Sequence, residues 1–326
     1  MPAWDRPSDG GSARLLLGII DATIGAMMRI LVGTSAGLQE FDGADAKPSG
    51  IAHSGRSVTA VAREGRELWA ILDGRGVWHT AGVDRWFHVG DLDGRRGNCV
   101  ADTRAGVLVG TSDAHLDRVA RGGLEPLVAF DLVEGRDSWY TPWGGPPDVR
   151  SISEDDEAVY VNVHVGGIVR SRDRGASWQP TIDIDADVHR VWAGRGRVFA
   201  ACAPGLAVSE DRGASWTIEA DGLHSTYCRA VTTCGDTVLL SASAGPSGGR
   251  AALYRRPFDG GHLERCRDGL PEWFDSNIDS SCLDAVPDLA AFGTEDGRVF
   301  ASTDEGRTWA AVASGLPSIG CVLVIP

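Results

Sequence analysis

Three octapeptides in this chain are near copies of one another: Ser171-Arg-Asp-Arg-Gly-Ala-Ser-Trp178, Ser209-Glu-Asp-Arg-Gly-Ala-Ser-Trp216 and Ser302-Thr-Asp-Glu-Gly-Arg-Thr-Trp309. Each follows a short apolar strand that opens near a glycine, at Gly167, Gly205 and Gly297. The shared form S-x-D-x-G-x-[ST]-W has the chemistry of a tight hairpin. Asp173, Asp211 and Asp304 can accept backbone N–H bonds inside the turn, and Gly175, Gly213 and Gly306 can adopt positive φ. Trp178, Trp216 and Trp309 re-enter the core and anchor the returning strand.

This pattern resembles the Asp-box, or BNR repeat, of sialidases, sortilin-type receptors and photosystem II assembly-factor-like propellers. The resemblance implies a β-propeller. It implies little about function, because the motif is structural in those families. The strands around the three copies extend the repeat. Candidate innermost strands carry Val58, Cys99, Val149, Val188, Cys228, Cys282 and Cys321 at their second position. Second strands follow from Leu68, Val107, Val159, Val198, Thr237 and Leu289. The spacing is about 40–50 residues, that of a four-stranded propeller blade.

The innermost strand at Cys321 has no partners after it, and the strands Arg29 to Thr34 and Gly37 to Phe41 have no innermost strand before them. Joining the two ends completes one blade and removes exposed edges. The expectation is an all-β, seven-bladed propeller of four-stranded blades over residues 28–326, closed by pairing of the N- and C-terminal strands. Six or eight blades stay open, since the blade around Leu116 to Phe130 lacks the octapeptide. Residues 1–27 stand outside the repeat and read as a disordered extension or a start assigned too early. Their apolar run, Leu15 to Ile20, is broken by Asp21 and makes neither an export signal nor a membrane span.

A net charge of −14, from 31 Lys+Arg against 45 Asp+Glu, argues against non-specific nucleic-acid or anionic-membrane binding. Lys47 is the one lysine; the preference for arginine reads as codon bias rather than phosphate recognition. The seven cysteines cannot all pair. Cys99, Cys228, Cys282 and Cys321 look like small hydrophobes at one repeated strand position. With no Cys-x-x-Cys, a structural zinc site is unsupported, and a cytoplasmic location is the expectation.

Strand parity puts the fourth-to-first and second-to-third connections on one face and the octapeptide turns on the other. The long connections, Asp131 to Pro147, Ser243 to Arg250 and Arg267 to Ile278, all map to the first face, which marks it for binding. Two of these loops carry aromatics, Trp139, Tyr140 and Trp143 in one and Trp273 and Phe274 in the other. They can stack on a sugar or simply pack the loop onto its blade. Arg150, His189 and Arg229 occupy the third position of three successive innermost strands, and Asn162, His164, His224, Tyr227, Asn277 and Asp279 lie at the same end. Two arginines and several neutral histidines suit a carboxylate, phosphate or sugar acid. The alternative is an internal network in which Asp148, Asp187 and Asp284 satisfy those groups. The spacing of His164, His189 and His224 is no recognised metal signature, so neither metal nor cofactor is expected.

Two function classes follow. The leading one is a ligand- or protein-binding module, monomeric, taking a small acidic or sugar-like ligand or a peptide at the channel mouth. The other is a glycoside hydrolase or lyase of sialidase-like fold, with Asp279, Tyr227, His164 and Asp187 as catalytic candidates. Sialidases have three arginines around the substrate carboxylate and an early Phe-Arg-Ile-Pro motif. Here two arginines stand near Tyr227 and Asp279, and the nearest string, Tyr254-Arg-Arg-Pro257, comes too late in the chain.

Overall fold

The second strands of the repeats, such as Val159–Val163 and Leu289–Gly293, are buried along their whole length. Neighbouring sheets cover both of their faces, so both sets of alternating side chains are apolar. The innermost strand Val58–Glu64 buries only alternate side chains over its first five residues and turns the others toward a central channel. Outer strands such as Thr217–Glu219 are largely exposed. The computed structural model describes residues 28–42, 47–80, 85–142 and 144–326. It gathers these strands into seven four-stranded antiparallel sheets, so the chain is a seven-bladed β-propeller. The segment 1–27 and Trp143 lie outside the described residues.

Blade 1 is the divided one: the innermost strand Ile319–Ile325 pairs with Arg29–Thr34, Arg29–Thr34 with Gly37–Asp42, and Gly37–Asp42 with Lys47–Ala52. Leu31 stands opposite Leu323 and Val32 opposite Val322. Blades 2 to 7 follow in chain order, with innermost strands Val58–Glu64, Gly97–Thr103, Val149–Glu154, Val188–Gly194, Tyr227–Cys234 and Leu283–Val286. Blade 3 lacks the octapeptide yet keeps its outer strand, Gly123–Pro126, which fixes the count at seven. After it comes a short helix, Val128–Asp131, whose Phe130 is buried against Trp178 of blade 4. Among the described residues no helix is long and apolar enough to cross a membrane.

The three octapeptides fold as one turn. In blade 5, Asp211 accepts the Ser215 N–H at 2.8 Å and the Ser215 hydroxyl at 2.6 Å, and Ser209 Oγ accepts the Gly213 N–H at 2.7 Å. Blades 4 and 7 repeat the arrangement around Asp173 and Asp304. The glycines have φ near +80°, and the residue before each, Arg174, Arg212 or Glu305, is left-handed as well. The Ser215 hydroxyl and N–H hold the Asp211 carboxyl down to about 2. A carboxyl so lowered stabilises the fold above its unfolded value of 3.8 and loses that contribution as pH falls through about 2. Asp211 is exposed, so its hydrogen bonds are screened, and Asp211→Ala is expected to cost about 1 kcal/mol. Thermal melts should show a deficit of about 2 °C near pH 7 that closes between pH 4 and 2, with ligand binding unchanged.

The register corrects one expectation. Near its start, the innermost strand carries an extra, bulged residue in several blades: Thr59, Asn98, Arg150, His189 and Gly320 each lie between two paired neighbours. In blade 6, Arg229 and Ala230 together span the same irregularity. Counted from the bulge, Cys228 matches Val149 and Val188, whereas Cys99 and Cys321 fall just after it, opposite Gly110 and Gly33. Cys282, whose carbonyl accepts the Gly293 N–H, belongs with the latter pair. The four cysteines therefore do not share one position. All seven cysteines are free and buried, and burial pushes the Cys99, Cys202, Cys266 and Cys321 thiols up to about 12.

Candidate functional site

A β-bulge breaks the in–out alternation and re-aims the extra side chain. Here it turns Arg150 and His189 toward the end of the channel where the innermost strands begin. The channel encloses a cavity of about 260 Å³, lined in part by Arg150, Arg190, Asp102 and Asp284. At its mouth the rings of His164 and His189 lie 5.5 Å apart, and those of His189 and Tyr227 lie 4.8 Å apart. Arg229 donates through Nε to Asp279 Oδ1 at 2.8 Å and through Nη1 to the Tyr227 hydroxyl at 3.4 Å. Asp187 joins from the start of blade 5, its Oδ1 3.1 Å from His164 Nε2 and 3.6 Å from His189 Nε2. Arg150, His164, Asp187, His189, Tyr227, Arg229 and Asp279 thus share one site.

Three expected members do not join it. Asn162 is fully buried in the second strand of blade 4 and donates 2.9 Å to the Val188 carbonyl of blade 5, so it clamps two blades together. His224 stacks on Tyr254, with Nδ1 2.7 Å from the tyrosine hydroxyl, and lies 4.6 Å from the Trp273 ring. Asn277 donates to the Pro246 carbonyl at 3.1 Å and closes one loop over another. The loop aromatics are mostly engaged in packing. Trp139 lies against Phe130 beneath the Arg136 guanidinium, Arg265 stacks on Trp273, and Phe274 is buried in the core. Among the described loop aromatics Tyr140 is the exposed one; its N–H bonds the Val165 carbonyl and its hydroxyl approaches Asp185, beside the mouth.

Charge at the mouth is unevenly satisfied. Burial works against the Arg229 cation, but Asp279 and Tyr227 outweigh it and raise its pKa. For Arg150 the balance runs the other way: burial, then the neighbouring Arg229, lower it. Among the described residues no hydrogen bond or ion pair engages the Arg150 guanidinium. Burial raises the Asp187 carboxyl, yet the His164 hydrogen bond and the His189 ring outweigh it, so it is held below the usual carboxylate value. Burial lowers His164, and lowers His189 to about 3, so both imidazoles are neutral at pH 7.

No protein-family model matches the chain, and no curated protein does. Solved structures do. YCF48 bound to a D1 peptide matches with a TM-score of 0.57 at 15% identity, over 92% of this chain and 90% of that one. The WD40 β-propeller domain of Doa1 matches at 0.57 and 14% identity, over 90% and 87%. The GH74 xyloglucanase of Xanthomonas campestris matches at 0.55 and 17% identity, over 87% of this chain and 46% of the enzyme. The likeness is one of fold.

What the mouth can do follows from its own groups. A half-buried guanidinium with no hydrogen bond of its own among the described residues, beside a second arginine, can receive an anionic oxygen pair. Asp279 is ion-paired with Arg229, and Asp187, set between His164 and His189, is held below the usual carboxylate value rather than raised as proton donation needs.

Proposed function

We propose that this chain is a binding module that recognises an anionic group, carried by a small acidic or sugar-like ligand, at the mouth of its central channel. The observation that carries the reading is Arg150: half-buried, with no hydrogen bond or ion pair to its guanidinium among the described residues, and beside Arg229. A carboxylate or phosphate placed there relieves the repulsion and completes the guanidinium's hydrogen bonds. The octapeptide turns support membership in the Asp-box propellers; YCF48, a structural neighbour solved with a D1 peptide, makes a peptide the second ligand class, and the two arginines favour an acidic one. A hydrolytic role has less support, because Asp279 and Tyr227 are both tied to Arg229. Seven unpaired thiols fit a monomer working in the reducing cytoplasm.

The test is calorimetric titration with a uronic acid, an N-acylneuraminic acid, inorganic phosphate and a Glu-rich peptide. At least one should bind saturably, and Arg150→Ala should weaken it by about 10–100-fold. The melting temperature should hold or rise, since one of two adjacent cations is gone. If none of these anions binds, or if Arg150→Ala leaves affinity unchanged, the proposal fails.

A further inference from the structure

His189 is set up in a way that a core histidine does not require. Its ring is fully buried. Nδ1 lies 2.6 Å from the Cys228 carbonyl oxygen, which has no proton to give, so Nδ1 carries the hydrogen and donates it. The lone pair of the neutral ring is then on Nε2, which has no hydrogen-bond partner among the described residues. It faces Asp187 Oδ1 at 3.6 Å. An imidazole lone pair and a carboxylate oxygen repel, and a cation between them turns that repulsion into two bonds. His164 Nε2 approaches the same oxygen at 3.1 Å.

We propose that His164 Nε2, Asp187 Oδ1 and His189 Nε2 form a binding site for a divalent transition-metal ion, with Zn²⁺ the best match. The donor atoms lie within 4.8 Å of one another. A tetrahedral zinc with bonds of about 2.0–2.2 Å has donor–donor edges of about 3.4 Å, and the observed 3.1 and 3.6 Å bracket that edge. Two imidazoles and one carboxylate suit Zn²⁺, Co²⁺ or Fe²⁺, whereas Ca²⁺ and Mg²⁺ favour oxygen. The Cys228 carbonyl is the outer-shell partner that fixes the ring and tautomer of a metal-ligating histidine. Asp187 is held at φ +46°, a left-handed conformation that places its carboxylate between the two rings. His164 comes from the turn between the second and third strands of blade 4, and Asp187 and His189 come from the entry to blade 5. The ligands are thus mounted on two blades that Asn162 already joins.

The experiment uses the full chain, stripped with a chelator and titrated with Co²⁺ and then Zn²⁺. One equivalent of Co²⁺ should bind, with the strong ligand-field absorption of a tetrahedral site, and Zn²⁺ should displace it. Asp187→Asn and His164→Gln should each weaken Zn²⁺ binding by about 100-fold or more, while His224→Ala should leave it unchanged. X-ray absorption of the Zn²⁺-loaded wild-type chain should show two imidazole ligands, a reading that does not depend on any variant folding. Absence of stoichiometric binding, thiolate ligation, or a site equally tight in both ligand variants would overturn the assignment.

Discussion

Removing Ile319–Pro326 should abolish the folded state. Ile319, Cys321, Val322, Val324 and Ile325 are all buried, and each buried apolar side chain of this size contributes about 1.5–3 kcal/mol. Their sum, about 10 kcal/mol, is comparable to the whole stability of an ordinary domain. The deletion would also bare the inner edge of Arg29–Thr34, whose six residues all pair with the lost strand. The truncated chain should show no cooperative melt and should aggregate, whereas loss of Pro326 alone, exposed and outside the strand, should change little. A synthetic peptide of residues 318–326 added during refolding should restore part of the transition. A truncated chain melting within a few degrees of the intact one would show that the ring does not depend on its closure.

That closure was readable because it follows from counting: an innermost strand without partners at one end of the chain, and partners without an innermost strand at the other. The octapeptide turns were readable because their hydrogen bonds are local, running from Ser209 to Ser215 within a single turn. The mouth was readable in part. Arg150, His189 and Arg229 could be aligned by strand position, but the bulge that turns them there leaves no mark in composition, since residues as different as Thr59, Asn98 and Gly320 occupy it. The same extra residue displaced the cysteine alignment. His224 and Asn277 were misplaced for another reason: they lie in loops, and their neighbours Tyr254, Trp273 and Pro246 are fixed by tertiary packing. Asp187 was weighed as a partner for the histidines. Its place between two particular rings depends on a left-handed φ at a non-glycine residue, which the sequence does not announce.

The register also exposes how the blades are locked together, and this yields the second large effect. Gly110, in the second strand of blade 3, lies against Val149 at the entry to blade 4; Gly33 meets Val58 of blade 2, and Gly293 meets Ile319 of blade 1. Each glycine is a hole for a branched side chain of the next blade. The adjoining cysteine fills the remaining space and directs its thiol at a carbonyl of that next blade: Cys99 to Val149, Cys321 to Val58, Cys282 to Ile319. Between blades 2 and 3 the fit is reversed, with Ile71 as the knob and Gly97 as the hole. Complementarity, rather than any one residue, is what this position maintains. Gly110→Ala would set a Cβ 2.3 Å from Val149 Cγ1 and 2.6 Å from Cys99 Sγ, contacts that force the blades apart. The expected cost is about 3 kcal/mol, at the top of the range for overpacking, or a fall of about 6 °C or more in melting temperature. Val149→Ala or Cys99→Ala, introduced into the Gly110→Ala chain, should each recover part of that loss, although each alone destabilises the wild type. The coupling read from the double-mutant cycle should be about 1–2 kcal/mol and favourable. Strict additivity would mean that the blades yield without cost and that the glycine is there for its backbone alone.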